Sequence, residues 1–285
     1  MLRTALMTAT LLASVASLAE SQQAGKRIKV NGMHMYYEVS GKGEPLVVLH
    51  GAYMDIPTMG GIVPKLAETH RVYALDLQGH GRTNDIDRKI TYENLADDVA
   101  AFMDSAGLAK ADVFGYSMGA AAGLQLAIRH PAKVSRLVAA SVAYDVKGWQ
   151  PEFTAFIPQM TVEGFLQMPF FKEQAARKPG FRALIAKLIQ LEKEPMAWEA
   201  EVKQLRMPIL IITGDADVAT LEHSVAMFKL LGGGVMGDMG KPLPASRLAV
   251  MPATAHTAVI TQVGMLHGFI EPFLRGEIAK GMFEQ

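Results

Sequence analysis

Short, wholly apolar runs recur along this chain with helix-like stretches between them, and that alternation limits the fold more than any other feature. The runs are Leu46–Leu49, Val72–Leu75, Val113-Phe114, Leu137–Ala140, Ile209–Ile212 and Leu248–Met251. A strand with one wet face alternates apolar and polar residues, whereas an unbroken apolar run suits a strand buried on both faces. Between the runs, Thr91 predicts the cap of a helix through Met103, with Leu95, Val99 and Phe102 turned inward and Asp97 and Asp98 on the wet side. Met118 to His130 predicts a second helix, and a third follows Gln262. Strand and helix in alternation predict an α/β fold: a mostly parallel central sheet, right-handed crossovers and flanking helices.

Other segments depart from this rhythm. Asn31-Gly32 lies between the extended segments Arg27–Val30 and Met33–Val39, a strong two-residue hairpin signal. The alternation stops near Asp145 and resumes at Pro208. The insertion, at residues 145–205, is rich in Phe and Met and ends in a helix-like stretch from Phe181 to Leu205, which predicts a helical cap over one end of the sheet. The first 19 residues follow the three-part pattern of a cleaved secretory signal: Arg3, a small-residue apolar stretch from Ala5 to Ser17, then Ser17-Leu18-Ala19. That apolar stretch falls short of the roughly 20 residues a bilayer span needs. The expectation is a periplasmic or secreted protein of one domain, residues 20–285, with no membrane attachment after cleavage. With 28 basic and 28 acidic side chains, no global field draws in nucleic acid or anionic lipid. Cysteine is absent, which excludes disulfides, thiolate chemistry and cysteine-held metal.

The strongest chemical signal is Gly115-Tyr116-Ser117-Met118-Gly119, set between a predicted strand and a predicted helix. A sharp turn there stands the Ser117 hydroxyl clear of the backbone, and the crowding of such a turn calls for glycine at its flanks. The helix that follows points free N–H groups at the same place. A metal site is not expected: no two histidines have helical spacing and there is no H-E-x-x-H. The Gly232–Gly234 run lacks a phosphate-loop continuation and reads as a surface loop.

With these residues in view, the chain resembles the α/β-hydrolase family over nearly all of its length beyond the signal. Four further stretches carry the resemblance: His50-Gly51-Ala52-Tyr53, Asp76-Leu77-Gln78-Gly79-His80-Gly81-Arg82-Thr83, Gly214-Asp215-Ala216-Asp217, and Thr254-Ala255-His256. Family order implies Ser117 as nucleophile, Asp217 as the carboxylate that orients the base, and His256 as the base. Asp215 is the alternative carboxylate, and the second acid of Gly-Asp-x-Asp is preferred. The backbone N–H groups of Ala52 and Met118 would form the oxyanion hole. His50 and His80 match supporting positions in the family. Thr83 and the Ala-Thr-Ala-His context of His256 are small departures from its pattern. No cofactor is implied. The reaction expected is hydrolysis of a carboxylic ester or lactone of a small, partly apolar molecule. Carbon–carbon bond hydrolysis and cofactor-free perhydrolysis are the enzymatic alternatives, and a non-catalytic ligand-binding protein is the third.

Overall fold

A computed structural model describes residues 25–237 and 243–279. The expected signal segment, residues 1–19, and part of the Gly-rich loop lie outside the described residues. Strands β1 (Lys26–Val30) and β2 (Met33–Ser40) form the hairpin, with Asn31 and Gly32 both at positive φ (44° and 89°). Two successive positive φ values make a turn whose twist matches that of paired strands, and Asn-Gly adopts it at least cost. β2 continues antiparallel to β4 (Arg71–Leu75). From β4 onward every pairing is parallel, through β3 (Pro45–Leu49), β5 (Ala111–Tyr116), β6 (Val134–Ala140), β7 (Ile209–Ala216) and β8 (Arg247–Ala255), in the order β1-β2-β4-β3-β5-β6-β7-β8.

Successive side chains of a strand point to opposite faces, so each apolar run feeds two cores. Val47, Leu49 and Val113 join one, packed with α2 (Tyr92–Ser105) and α3 (Met118–Arg129). Leu46, Val48 and Phe114 join the other, with α1 (Ile62–Leu66) and α10 (Val263–Leu274). Thr91 caps α2, its hydroxyl accepting from the Asn94 N–H at 3.1 Å. Leu95, Val99 and Phe102 of that helix are fully buried. Asp98 is a correction to the wet face expected for it. Arg88 and Asn31 cover it, at 2.5 and 2.9 Å, and only Asp97 stays half-exposed, paired with Arg129 and His130. Both partners of Asp98 come from other elements, so helical periodicity carries no sign of them.

Between β6 and β7 lie five helices: α4 (Pro151–Phe156), α5 (Val162–Leu166), α6 (Pro169–Arg177), α7 (Phe181–Lys193) and α8 (Glu199–Val202). The stretch from Phe181 to Leu205 is two helices rather than one. Pro195 forces the preceding Glu194 out of helical geometry, to ψ 144°. These helices are pinned to the sheet end by Lys178 on Asp55 (2.8 Å) and by Lys187 on Asp85 (2.7 Å) and the carbonyls of Ile86 and Arg88. No helix among the described residues is long and apolar enough to cross a membrane. Helix α9 (Leu221–Leu230) lies between β7 and β8 in the chain.

Candidate active site

Ser117 sits where β5 gives way to α3, with φ 54° and ψ −120°. A non-glycine residue held there costs on the order of 1–3 kcal/mol, and the surroundings enforce it. A Cβ on Gly115 would lie 2.3 Å from the Gly119 carbonyl oxygen, and one on Gly119 would lie 2.3 Å from that of Leu49 and 2.6 Å from that of His50. Both glycines are therefore required by backbone contact. The Ser117 N–H donates to the Ala140 carbonyl at 2.9 Å, and its own carbonyl accepts from Ala120 and Ala121. The backbone of the turn is held on both sides.

The hydroxyl faces His256, whose Nε2 lies 3.0 Å from Ser117 Oγ. The other ring nitrogen, Nδ1, is 2.6 Å from Asp217 Oδ1. That oxygen also accepts from the Val218 N–H at 2.7 Å, and Oδ2 accepts from the Ser141 hydroxyl at 2.6 Å and the Gly214 N–H at 3.2 Å. Burial of Asp217 pushes its carboxyl up. The His256 hydrogen bond and charge, with Ser141 and Gly214, outweigh that push and hold it below the ordinary carboxylate range. Asp215 goes elsewhere: it is exposed and accepts from the N–H groups of Ala253 (2.8 Å) and Thr254 (2.9 Å), bracing the end of β8. The carboxylate against the histidine is thus Asp217. From behind, Tyr116 stacks on the His256 ring at 5.5 Å and donates its hydroxyl to the His256 carbonyl.

Ala52 and Met118 line the cavity beside Ser117. Met118 opens α3, among the first-turn donors that helix geometry leaves without an internal acceptor. The loop carrying Ala52 is fixed by Asp76, which accepts from the Ile56 N–H on one side and the Arg82 N–H on the other. Thr83 donates to the Asp76 carbonyl and accepts from the Tyr36 N–H, both through its hydroxyl, so Thr serves where Ser is usual. His50 Nε2 accepts from the Leu77 N–H at 3.1 Å, with Nδ1 on the Gly51 carbonyl. The His80 ring lies beside it, tilted by 53°, with centroids 4.8 Å apart. Burial lowers the pKa of both rings, in keeping with neutral supports.

The cavity above Ser117 encloses about 380 Å³ between the sheet end and the inserted helices. Aromatic rings make most of its wall: Tyr53, Phe165 and Phe171 form one cluster with centroids 4.8–5.1 Å apart, and Tyr92, Trp149 and Phe153 add to it. Among the described residues, Glu192 is the one carboxylate on the wall.

A family model for the alpha/beta hydrolase fold matches residues 44–184. The chain belongs to the α/β-hydrolase superfamily. It is similar to a 2-hydroxymuconate semialdehyde hydrolase of Pseudomonas sp. strain CF600, 26% identical over 235 residues, covering 73% of this chain and 82% of that protein. It is also similar to a pimeloyl-[acyl-carrier protein] methyl ester esterase of Aeromonas hydrophila, 26% identical over 272 residues and covering 85% of this chain and all of that one. Among solved structures, a meta-cleavage product hydrolase from Pseudomonas fluorescens IP01 superposes with a TM-score of 0.70 at 21% identity, covering 88% of this chain and 97% of that one.

Several residues of this α/β hydrolase's site escaped sequence reasoning. Ser141 follows β6 at φ 58° and reaches Asp217 across 76 positions, with no local motif. Tyr53 stands at φ 63° on the Ala52 loop, its ring against the inserted helices. Glu192 did leave a signal. It continues the stripe Phe181, Leu184, Ile185, Leu188, Ile189 of α7 at helical spacing, an acid in an apolar position.

Proposed function

We propose that this protein is a serine hydrolase that cleaves a carboxylic ester or lactone through an acyl-enzyme on Ser117. The observation that carries the reading is the contiguous chain from Ser117 Oγ to His256 Nε2 (3.0 Å) and from His256 Nδ1 to Asp217 (2.6 Å), with Ser117 and His256 lining the cavity. As Ser117 Oγ attacks the carbonyl carbon, His256 Nε2 takes its proton, and the charge that builds on the ring is balanced by Asp217. The carbonyl oxygen becomes an anion and accepts from the Ala52 and Met118 N–H groups, where losing one donor costs roughly 3–4 kcal/mol. His256 returns the proton to the departing alcohol. A water, deprotonated by the same nitrogen, then attacks the acyl-enzyme and frees Ser117.

The likeness to a 2-hydroxymuconate semialdehyde hydrolase favours a second reading, hydrolysis of a carbon–carbon bond. A muconate-type substrate brings a carboxylate. Among the described residues the cavity wall offers no Lys or Arg to receive one and already carries the carboxylate of Glu192, which favours an ester without an acidic group. Labelling with a fluorophosphonate, followed by peptide mass spectrometry, tests the nucleophile. Modification should fall on Ser117 and vanish in Ser117→Ala. Comparing kcat/KM for p-nitrophenyl esters with that for a vinylogous diketone then decides the bond, and faster turnover of the diketone would overturn the ester reading. The secretory signal remains a proposal from residues 1–19, tested by the N-terminal mass of the exported chain.

A further inference from the structure

Glu192 has no part in the steps above, and its placement is costly. It lies in the last turn of α7, where the helix dipole is negative, half-buried on the cavity wall in line with the helix's apolar stripe. Among the described residues it has no hydrogen bond and no ion pair, and the one charge that acts on it is that of His256. Burial pushes its carboxyl up to about 7, against an opposing pull from His256. Its charge in turn adds to the burial that raises the Tyr53 and Tyr92 hydroxyls, and the Tyr53 hydroxyl is itself buried without a partner. A lone acid among aromatic faces is poorly arranged to serve the fold. It is well arranged for a positive charge, which ring faces and a desolvated carboxylate both attract.

We propose that the inserted helices, with the facing sheet end, form a subsite for a cationic group of the substrate, an amine or quaternary ammonium, with Glu192 as its counter-charge and Tyr53, Tyr92, Phe165 and Phe171 as its walls. The proposal rests on the ester-hydrolase reading only for the reaction, so binding is read separately. Calorimetry on the full chain compares two non-hydrolysable ethers of one shape, one ending in trimethylammonium and the other in tert-butyl. The wild type should bind the cation at least about tenfold more tightly, and Glu192→Gln should bring the ratio close to one. The kcat/KM ratio for the corresponding pair of esters, with the head group placed first on the alcohol side and then on the acyl side, should move in the same direction. Glu192→Met, similar in length and apolar, serves if the amide variant misfolds. Equal affinity, a preference for tert-butyl, undetectable binding of the cation, or a preference that survives both substitutions would overturn the subsite. If no ester is turned over while the calorimetric preference depends on Glu192, the reaction reading falls and the subsite stands.

Discussion

Every residue of β5 is buried, whereas neither α4 nor α6 of the inserted segment has a single buried residue. The two regions face each other across one cavity and contribute to it differently. On the sheet side, Ser117, Asp217 and His256 follow β5, β7 and β8, and their positions are set by backbone: glycines in contact with carbonyl oxygens and N–H groups on Asp217. On the other side the wall is side chains on short helices, tied down by a few ion pairs and by α7. Segments with little burial open at low free-energy cost and tolerate substitution. Reaction geometry accordingly belongs to the sheet and substrate choice to the inserted helices.

Substitutions in each region can break that division. Asp217→Asn should lower kcat for a p-nitrophenyl ester by about 10⁴-fold, because the amide favours the wrong His256 tautomer. Phe171→Ala, on the opposite wall, should change chain-length preference and cost less than about 100-fold. Comparable losses from the two would erase the distinction. In urea unfolding, Gly119→Ala should destabilise by about 3 kcal/mol or more, since the added methyl meets the backbone of Leu49 and His50. Gly180→Ala, at the start of α7 with nothing within 4 Å, should stay within about 1 kcal/mol.

Glu192 gives the sharpest test of sign. The unfolded chain releases this proton near the ordinary value of 4.5, and the folded chain near 7. The unfolded state therefore loses it first, and stability falls as pH rises across that window. Glu192→Gln should remove this component of the slope, making the variant the more stable by about 3 kcal/mol above pH 7 and equal to wild type below about pH 4. Parallel pH profiles for the two proteins would contradict the desolvated, unpaired carboxylate.

What could be read from the sequence follows the range of the interactions. The parallel sheet, the Asn31-Gly32 hairpin and the turn at Ser117 are written in runs of a few residues, because strand burial, turn conformation and backbone crowding are local. Asp98 and Ser141 were misread or missed because their partners, Arg88 with Asn31 and Asp217, converge only in the folded chain. The break at Pro195 was legible but outweighed by the apolar periodicity around it. Glu192 illustrates the third case. An acid on an apolar stripe signals that something is unusual, and only the cavity says what surrounds it.

Trapping the acyl form of Ser117 tests most directly whether it is an activated nucleophile. Mixing the protein with excess p-nitrophenyl acetate and quenching in acid within milliseconds to seconds should give a burst of p-nitrophenol approaching one equivalent, with an acetyl mass on the peptide containing Ser117. Sustained turnover with no burst and no acyl group on Ser117 would contradict it.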